Sequence, residues 1–281
     1  MVKLLKFSKI LITFFSMTLS VFVYAFMMGP WFSVGFVLML FIHEMGHVAA
    51  MRLKGYPASA PVFIPMLGAV IFAPKFKNSD EEAYIGYGGP FVGGIAALAL
   101  FALWAILPVQ YPLLLMLSYS AAFLNLFNLL PIRPLDGGRV THIVGGWFKW
   151  FGVAGLVWLA VVIKEPMMLL IFILILGDFN IKPKYRFYLG FISLITMATL
   201  MVLGYGKQAS WIDITDTCIA ALLVYFYYRG MKKTGLVEEK ETNEPATLVL
   251  RLKWLGLYLL LVAGLILLMS IQAQYLPQQV R

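Results

Sequence analysis

Apolar residues run along this chain in long blocks, separated by short polar and basic stretches. The blocks fall at 10–28, 31–51, 90–109, 112–131, 150–163, 166–178, 187–204, 213–228 and 254–270. A bilayer crossing needs about 20 predominantly apolar residues in a helix, so most of these read as transmembrane spans. The fifth and sixth are shorter, with Lys164-Glu165-Pro166 between them, and read as tilted crossings or as a re-entrant hairpin.

The interval between the second and third blocks follows a different rule. It is apolar, but Pro57, Pro61, Pro65 and Pro74 forbid a continuous helix. Val62–Ile64 and Ala69–Phe72 are short enough to be strands, with Met66-Leu67-Gly68 as the turn. Non-helical backbone survives at membrane depth only where protein or a water-filled cavity covers it, so this pair reads as a β-hairpin dipping into the protein. The predicted fold class is therefore an all-α polytopic membrane protein with a small membrane-associated β-hairpin. Asn78-Ser79-Asp80-Glu81-Glu82 then gives a helix-entry signal, and Gly86 to Gly94 opens the third span as a glycine-rich packing face.

Composition agrees with the blocks. Hydrophobic residues make up 62% of 281 and charged residues 12%, which excludes a pair of soluble domains of this length. The net charge of +9 calls for no nucleic acid, because Lys and Arg collect in the cytoplasmic loops of membrane proteins. With the N-terminus inside, about 19 of the 22 basic residues fall on the cytoplasmic side. The basic start and apolar run of residues 1–28 contain no clear small-x-small cleavage site, so an uncleaved first span is expected. Cys218 stands alone in an apolar stretch and reads as packing, with neither a disulfide framework nor a cysteine metal site.

One block carries chemistry. From Trp31 to Met51 the ionisable residues are His43, Glu44 and His47. Ionisable groups are costly at membrane depth and point to function. On a helix, positions i and i+4 share a face, so the two imidazoles can aim at one ion while Glu44 reaches its water as a general base. This is the H-E-x-x-H arrangement of zinc metalloproteases. The topology places it toward the cytoplasmic end of the second span, where a third ligand should come from another cytoplasmic-side element. The fourth span ends there in Asn125-Leu126-Phe127-Asn128, followed by Pro131, Pro134 and Leu135-Asp136-Gly137-Gly138. Asp136 is the expected third ligand, two histidines and one carboxylate being a standard catalytic zinc set. His142 competes for that role.

His43-Glu44-x-x-His47, the Gly89-Pro90 opening of the third span, and Asn128-x-x-Pro131-x-x-Pro134-Leu135-Asp136-Gly137-Gly138 together resemble the site-2 proteases, the membrane-embedded zinc metalloproteases. The resemblance covers roughly residues 31–145. It implies one zinc per chain on His43, His47 and Asp136, Glu44 as the group that activates water, and Asn128 as a substrate-holding residue near the metal. It also implies a membrane protein substrate, hydrolysed within or at the edge of the bilayer of a cell membrane. The chain departs from the pattern at Gly93, where many relatives have an asparagine, and shows no soluble insertion of PDZ size and no CBS-like tail. Substrate selection is then left to membrane parts or to a regulatory membrane partner.

The expected organisation is an N-terminal span at 1–30, a catalytic membrane core at 31–149 and a C-terminal membrane region at 150–281. Two other classes compete. A transporter would spread ionisable groups over several spans or show inverted repeats, and one cluster on two elements is found instead. An inactive protease-like scaffold would have no use for a buried base at Glu44.

Overall fold

The structure is a computed structural model that describes residues 2–65, 68–71, 74–163 and 246–276. The expected spans at 166–178, 187–204 and 213–228 lie outside these residues. In chain order the elements are α1 (Val2–Met28), α2 (Pro30–Leu53), β1 (Val62–Ile64), β2 (Gly68–Val70), α3 (Ser79–Ile106), α4 (Pro112–Asn128) and α5 (Asp136–His142). A 3-10 turn (Gly146–Phe148), α6 (Lys149–Ile163) and α7 (Leu248–Ala273) complete them. Among the described residues, four helices are long and apolar enough to cross a bilayer: α1 from Ile10, α2, α3 and α7. The chain is a multi-pass membrane protein of helices with one small hairpin.

Among the described residues, two compact units can be distinguished. One holds α1 to α5, the hairpin and α7; the other holds residues 131–134 and, from Trp147, the rest of the 3-10 turn and α6. Within the first unit, α3 packs against α2, α4 and α5, and α7 packs against α3, α4 and α5.

Local chemistry explains where the elements begin. Pro30 starts α2, where its missing N–H costs nothing and its fixed φ suits the first turn. Asn78 caps α3, its side chain accepting from the Glu81 N–H at 2.9 Å. Asp80, Glu81 and Glu82 then complement the positive end of the helix. The third span was expected from residue 90. Instead α3 runs unbroken from Ser79 through Pro90. Proline interrupts only one hydrogen bond and meets the carbonyl four residues back, and membrane helices tolerate this where neighbours pack closely.

The hairpin forms as expected, with β2 one residue earlier than the sequence suggests because Gly68, at φ +94, enters the ladder opposite Ile64. Val62 faces Val70 and Phe63 faces Ala69. The hairpin is held from the α1 side. The Thr13 hydroxyl donates to the Pro61 carbonyl at 2.7 Å, and the Phe63 N–H donates to the Ser16 hydroxyl at 3.1 Å. Phe63 is buried in a cluster with Tyr24, Val37 and Leu40. The outward faces of α1, with Phe14, Phe15, Phe22 and Phe26 exposed, are what a lipid-facing helix presents.

A candidate metal centre

Glycines bring α2 and α3 together at the height of the histidines. A Cβ on Gly46 would collide with the Gly88 carbonyl, and one on Gly88 would lie 2.8 Å from both the Ala50 Cβ and the Gly46 carbonyl. The backbones thus approach as closely as small residues allow, as in other packed membrane helices. This approach buries the face carrying His43, Glu44 and His47, all 8% exposed or less.

The third component arrives through the break after α4. Asp136 is the first residue of α5. Gly137 follows because that turn of α5 lies against the end of α4: a Cβ there would overlap the Leu129 backbone and the Leu130 carbonyl. Leu129 is itself fixed, its carbonyl accepting from the buried Tyr258 hydroxyl of α7 at 2.7 Å.

The result is a near-equilateral triangle. His43 Nε2 lies 3.1 Å from Asp136 Oδ2, His47 Nε2 lies 3.2 Å from the same oxygen, and the two Nε2 atoms are 3.2 Å apart. Zinc bonds of about 2.0–2.1 Å in a tetrahedron place neighbouring ligand atoms about 3.3–3.4 Å apart, so the triangle's edges come within about 0.3 Å of those a tetrahedral ion requires.

The outer nitrogens make the case stronger. His43 Nδ1 is 2.8 Å from Asn125 Oδ1, and His47 Nδ1 is 2.7 Å from the Ile85 carbonyl. Both partners are acceptors, so both Nδ1 atoms carry the proton, and in the neutral rings both Nε2 atoms present lone pairs. Two lone pairs and a carboxylate oxygen converging on one point fit a cation. Each histidine also has the outer hydrogen bond typical of a metal ligand.

Each expected site residue can now be located. His43, His47 and Asp136 come together as a group able to hold a metal ion. His142, at the other end of α5, is not part of that group. Glu44 is buried beside it, within electrostatic reach of both histidines, Asp136 and Arg139. Asn128 is the last residue of α4, and its amide donates to the Leu124 carbonyl at 3.1 Å. Two contributors escaped the sequence reading: the Asn125 carboxamide and the Ile85 carbonyl. Asn125 was visible as a polar residue in an apolar helix, but nothing in spacing ties residue 125 to residue 43. The departure at Gly93 has a spatial meaning, since a Cβ there would overlap the Asn125 amide.

Fold and site together define a polytopic membrane protein built around a buried centre of two histidines and one aspartate, with a glutamate adjacent. Residues 31–110 match the sequence model of Peptidase family M50. It is 31% identical over 106 residues to a zinc metalloprotease of Methanocaldococcus jannaschii, covering 37% of this chain and 31% of that protein. It is 28% identical over 160 residues to a Synechocystis sp. protein whose name assigns it provisionally to the zinc metalloproteases, covering 52% of this chain and 39% of that one. The chain thus spans less than two fifths of the length of either relative.

Proposed function

We propose that the protein is an intramembrane zinc metalloprotease of the site-2 type, hydrolysing peptide bonds of membrane protein substrates within or at the edge of the bilayer. The observation that carries this reading is the triangle of His43, His47 and Asp136 atoms at tetrahedral spacing, with the Glu44 carboxylate beside it. His43, His47 and Asp136 would hold one zinc per chain. When bound, zinc polarises a scissile carbonyl and makes water acidic enough to attack near neutral pH. Glu44 accepts the proton of the attacking water and returns it to the leaving amine. Asn128 donates its amide to the substrate carbonyl.

The catalytic core is 31–149, with the N-terminus in the cytoplasm and the site toward that side of a cell membrane. A helical substrate must unwind to expose a peptide bond, and an unwound segment can add to a sheet edge. Phe63 turns its N–H to Ser16, so the Phe63–Ala69 pair points its main-chain groups away from the partner strand. On β1 that edge is engaged by α1; on β2 it belongs to Ala69. The substrate strand therefore adds to β2. A membrane-anchored partner controlling access would suit a core without a soluble recognition domain.

The test is zinc content of detergent-purified protein together with cleavage of a membrane-anchored reporter. The parent and Glu44→Gln should each hold about one zinc, with Glu44→Gln losing about 10²–10⁴ in rate. His43→Ala and Asp136→Ala should hold none. Ala69→Pro should keep zinc and lose cleavage. A well-folded parent that takes up no supplied zinc would sink the proposal, and an unaffected Ala69→Pro would remove the strand-addition step.

A further inference from the structure

The proposed chemistry makes no use of Asn125, although it is only 1% exposed and sits in an apolar helix. A buried carboxamide is costly unless its donors and acceptors are satisfied. Its hydrogen bonds also have a direction. The Asn125 Nδ2 lies 2.7 Å from the Ala121 carbonyl, which can only accept, so the amide nitrogen faces that way. The Oδ1 must then face His43, and as an acceptor it requires the proton of the imidazole on Nδ1. The backbone of α4 thereby dictates which nitrogen of a residue on α2 is free. If the ring carried its proton on Nε2 instead, it would turn an N–H toward the metal position and could not serve as a ligand.

The carboxamide reaches His43 through a gap in a third helix. At Gly93 of α3 any Cβ would overlap the Oδ1, Nδ2 and Cγ of Asn125. Gly89, one turn earlier on the same helix, makes room in the same way for the His47 ring. The two ligands share one helix but are oriented by different elements, His47 by a main-chain carbonyl of α3 and His43 by a side chain of α4.

We propose that Asn125 is a positioning residue of the metal centre, fixing the orientation and tautomer of His43 through the space left by Gly93. This rests on the metalloprotease reading of the site. The experiment uses the full chain in detergent, with zinc affinity measured by chelator competition and ligand geometry by the visible absorption of the cobalt-substituted protein. Asn125→Ala should bind zinc about 10–100-fold more weakly and alter the cobalt spectrum. Asn125→Asp, which keeps the acceptor, should recover most of the affinity. Ser118→Ala controls for loss of a buried polar group from α4. Its hydroxyl donates to the Ala97 carbonyl at 2.6 Å and accepts from Gln272 at 2.5 Å, with no contact to the histidines. It should leave both metal readouts unchanged.

Gly93→Ala should weaken zinc binding by pressing on the carboxamide. The Gly93→Ala/Asn125→Ala double variant should be no worse than Asn125→Ala alone, because the truncated side chain leaves room for the added methyl. If Asn125→Ala cannot be purified folded, Gly93→Ala carries the test, and a folded Gly93→Ala that binds zinc as tightly as the parent overturns the assignment. A zinc-binding parent matched by Asn125→Ala, or a Ser118→Ala loss of equal size, overturns the assignment of Asn125 alone. A folded parent that binds no zinc overturns the metal-centre reading and the assignment with it.

Discussion

Helices α3 and α7 are both long, apolar and interrupted by glycine, yet their glycines meet opposite surroundings. On α3, a methyl at position 88, 89 or 93 would strike the α2 backbone, the His47 ring or the Asn125 amide. On α7, a methyl at Gly256 or Gly264 would meet nothing within 4 Å among the described residues. The helix α3 gives its backbone to the site. The helix α7 acts through the tips of large side chains: the Trp254 indole donates to Asp80 at 2.7 Å, Tyr258 to the Leu129 carbonyl, and the Gln272 amide to Ser118. Glycine in a membrane helix therefore has no fixed meaning. What it contributes depends on how close the neighbouring backbone comes.

The largest effect expected from this contrast is at Gly89. Gly89→Ala would place a methyl inside the volume of the His47 imidazole. The ring must turn, breaking its 2.7 Å bond to the Ile85 carbonyl and pulling Nε2 off the triangle. Zinc content should fall to near zero, and proteolysis with it, while helical content by circular dichroism stays at the parent value. Retention of stoichiometric zinc in Gly89→Ala would show that α3 can back away from α2, and the contrast with α7 would then be one of degree.

That prediction also shows what could be read without coordinates. The pair His43 and His47 was legible because both lie on one helix, where periodicity alone fixes their relation. Asp136 was singled out as a carboxylate beside a helix break, on the side where the expected topology puts the histidines. The Asn125 link spans 82 residues and two helices, and no periodicity records such a distance. The start of α3 was legible in Asn78-Ser79-Asp80-Glu81-Glu82, although the apolar block begins only at residue 90. The packing of α7 on α3, α4 and α5 was equally hidden. Its hydrogen bonds connect residues 129 to 174 positions apart, and in sequence they appear only as Trp254, Tyr258 and Gln272 within an apolar run.

A middle-sized effect should come from the α7 side of the contrast. Tyr258→Phe removes the donor to the Leu129 carbonyl and leaves that buried oxygen without this bond, a loss of about 1–3 kcal/mol. Leu129 is also where Gly137 seats the first turn of α5, so a loosened Leu129 is felt at Asp136. The expected outcome is a lower thermal midpoint with a several-fold weaker zinc affinity. A drop in midpoint with zinc affinity unchanged would mean that α7 stabilises the bundle without tuning the centre.

The smallest effect belongs to Gly264→Ala. Among the described residues none lies within 4 Å of a methyl at that position, so none of them must move. The substitution even favours the helix, because alanine loses less conformational entropy than glycine by about 0.5–1 kcal/mol. Zinc content, cleavage rate and midpoint should match the parent, or the midpoint should rise slightly. The residue one position further on, Leu265, is buried and lies 3.3 Å from where a Cβ on Gly94 would sit, so the packed face of α7 is only a rotation of about 100° away. A marked loss of zinc or activity in Gly264→Ala would mean that a second close helix contact runs along α7. The distinction between a helix that lends its backbone and one that lends its side chains would then have to be abandoned.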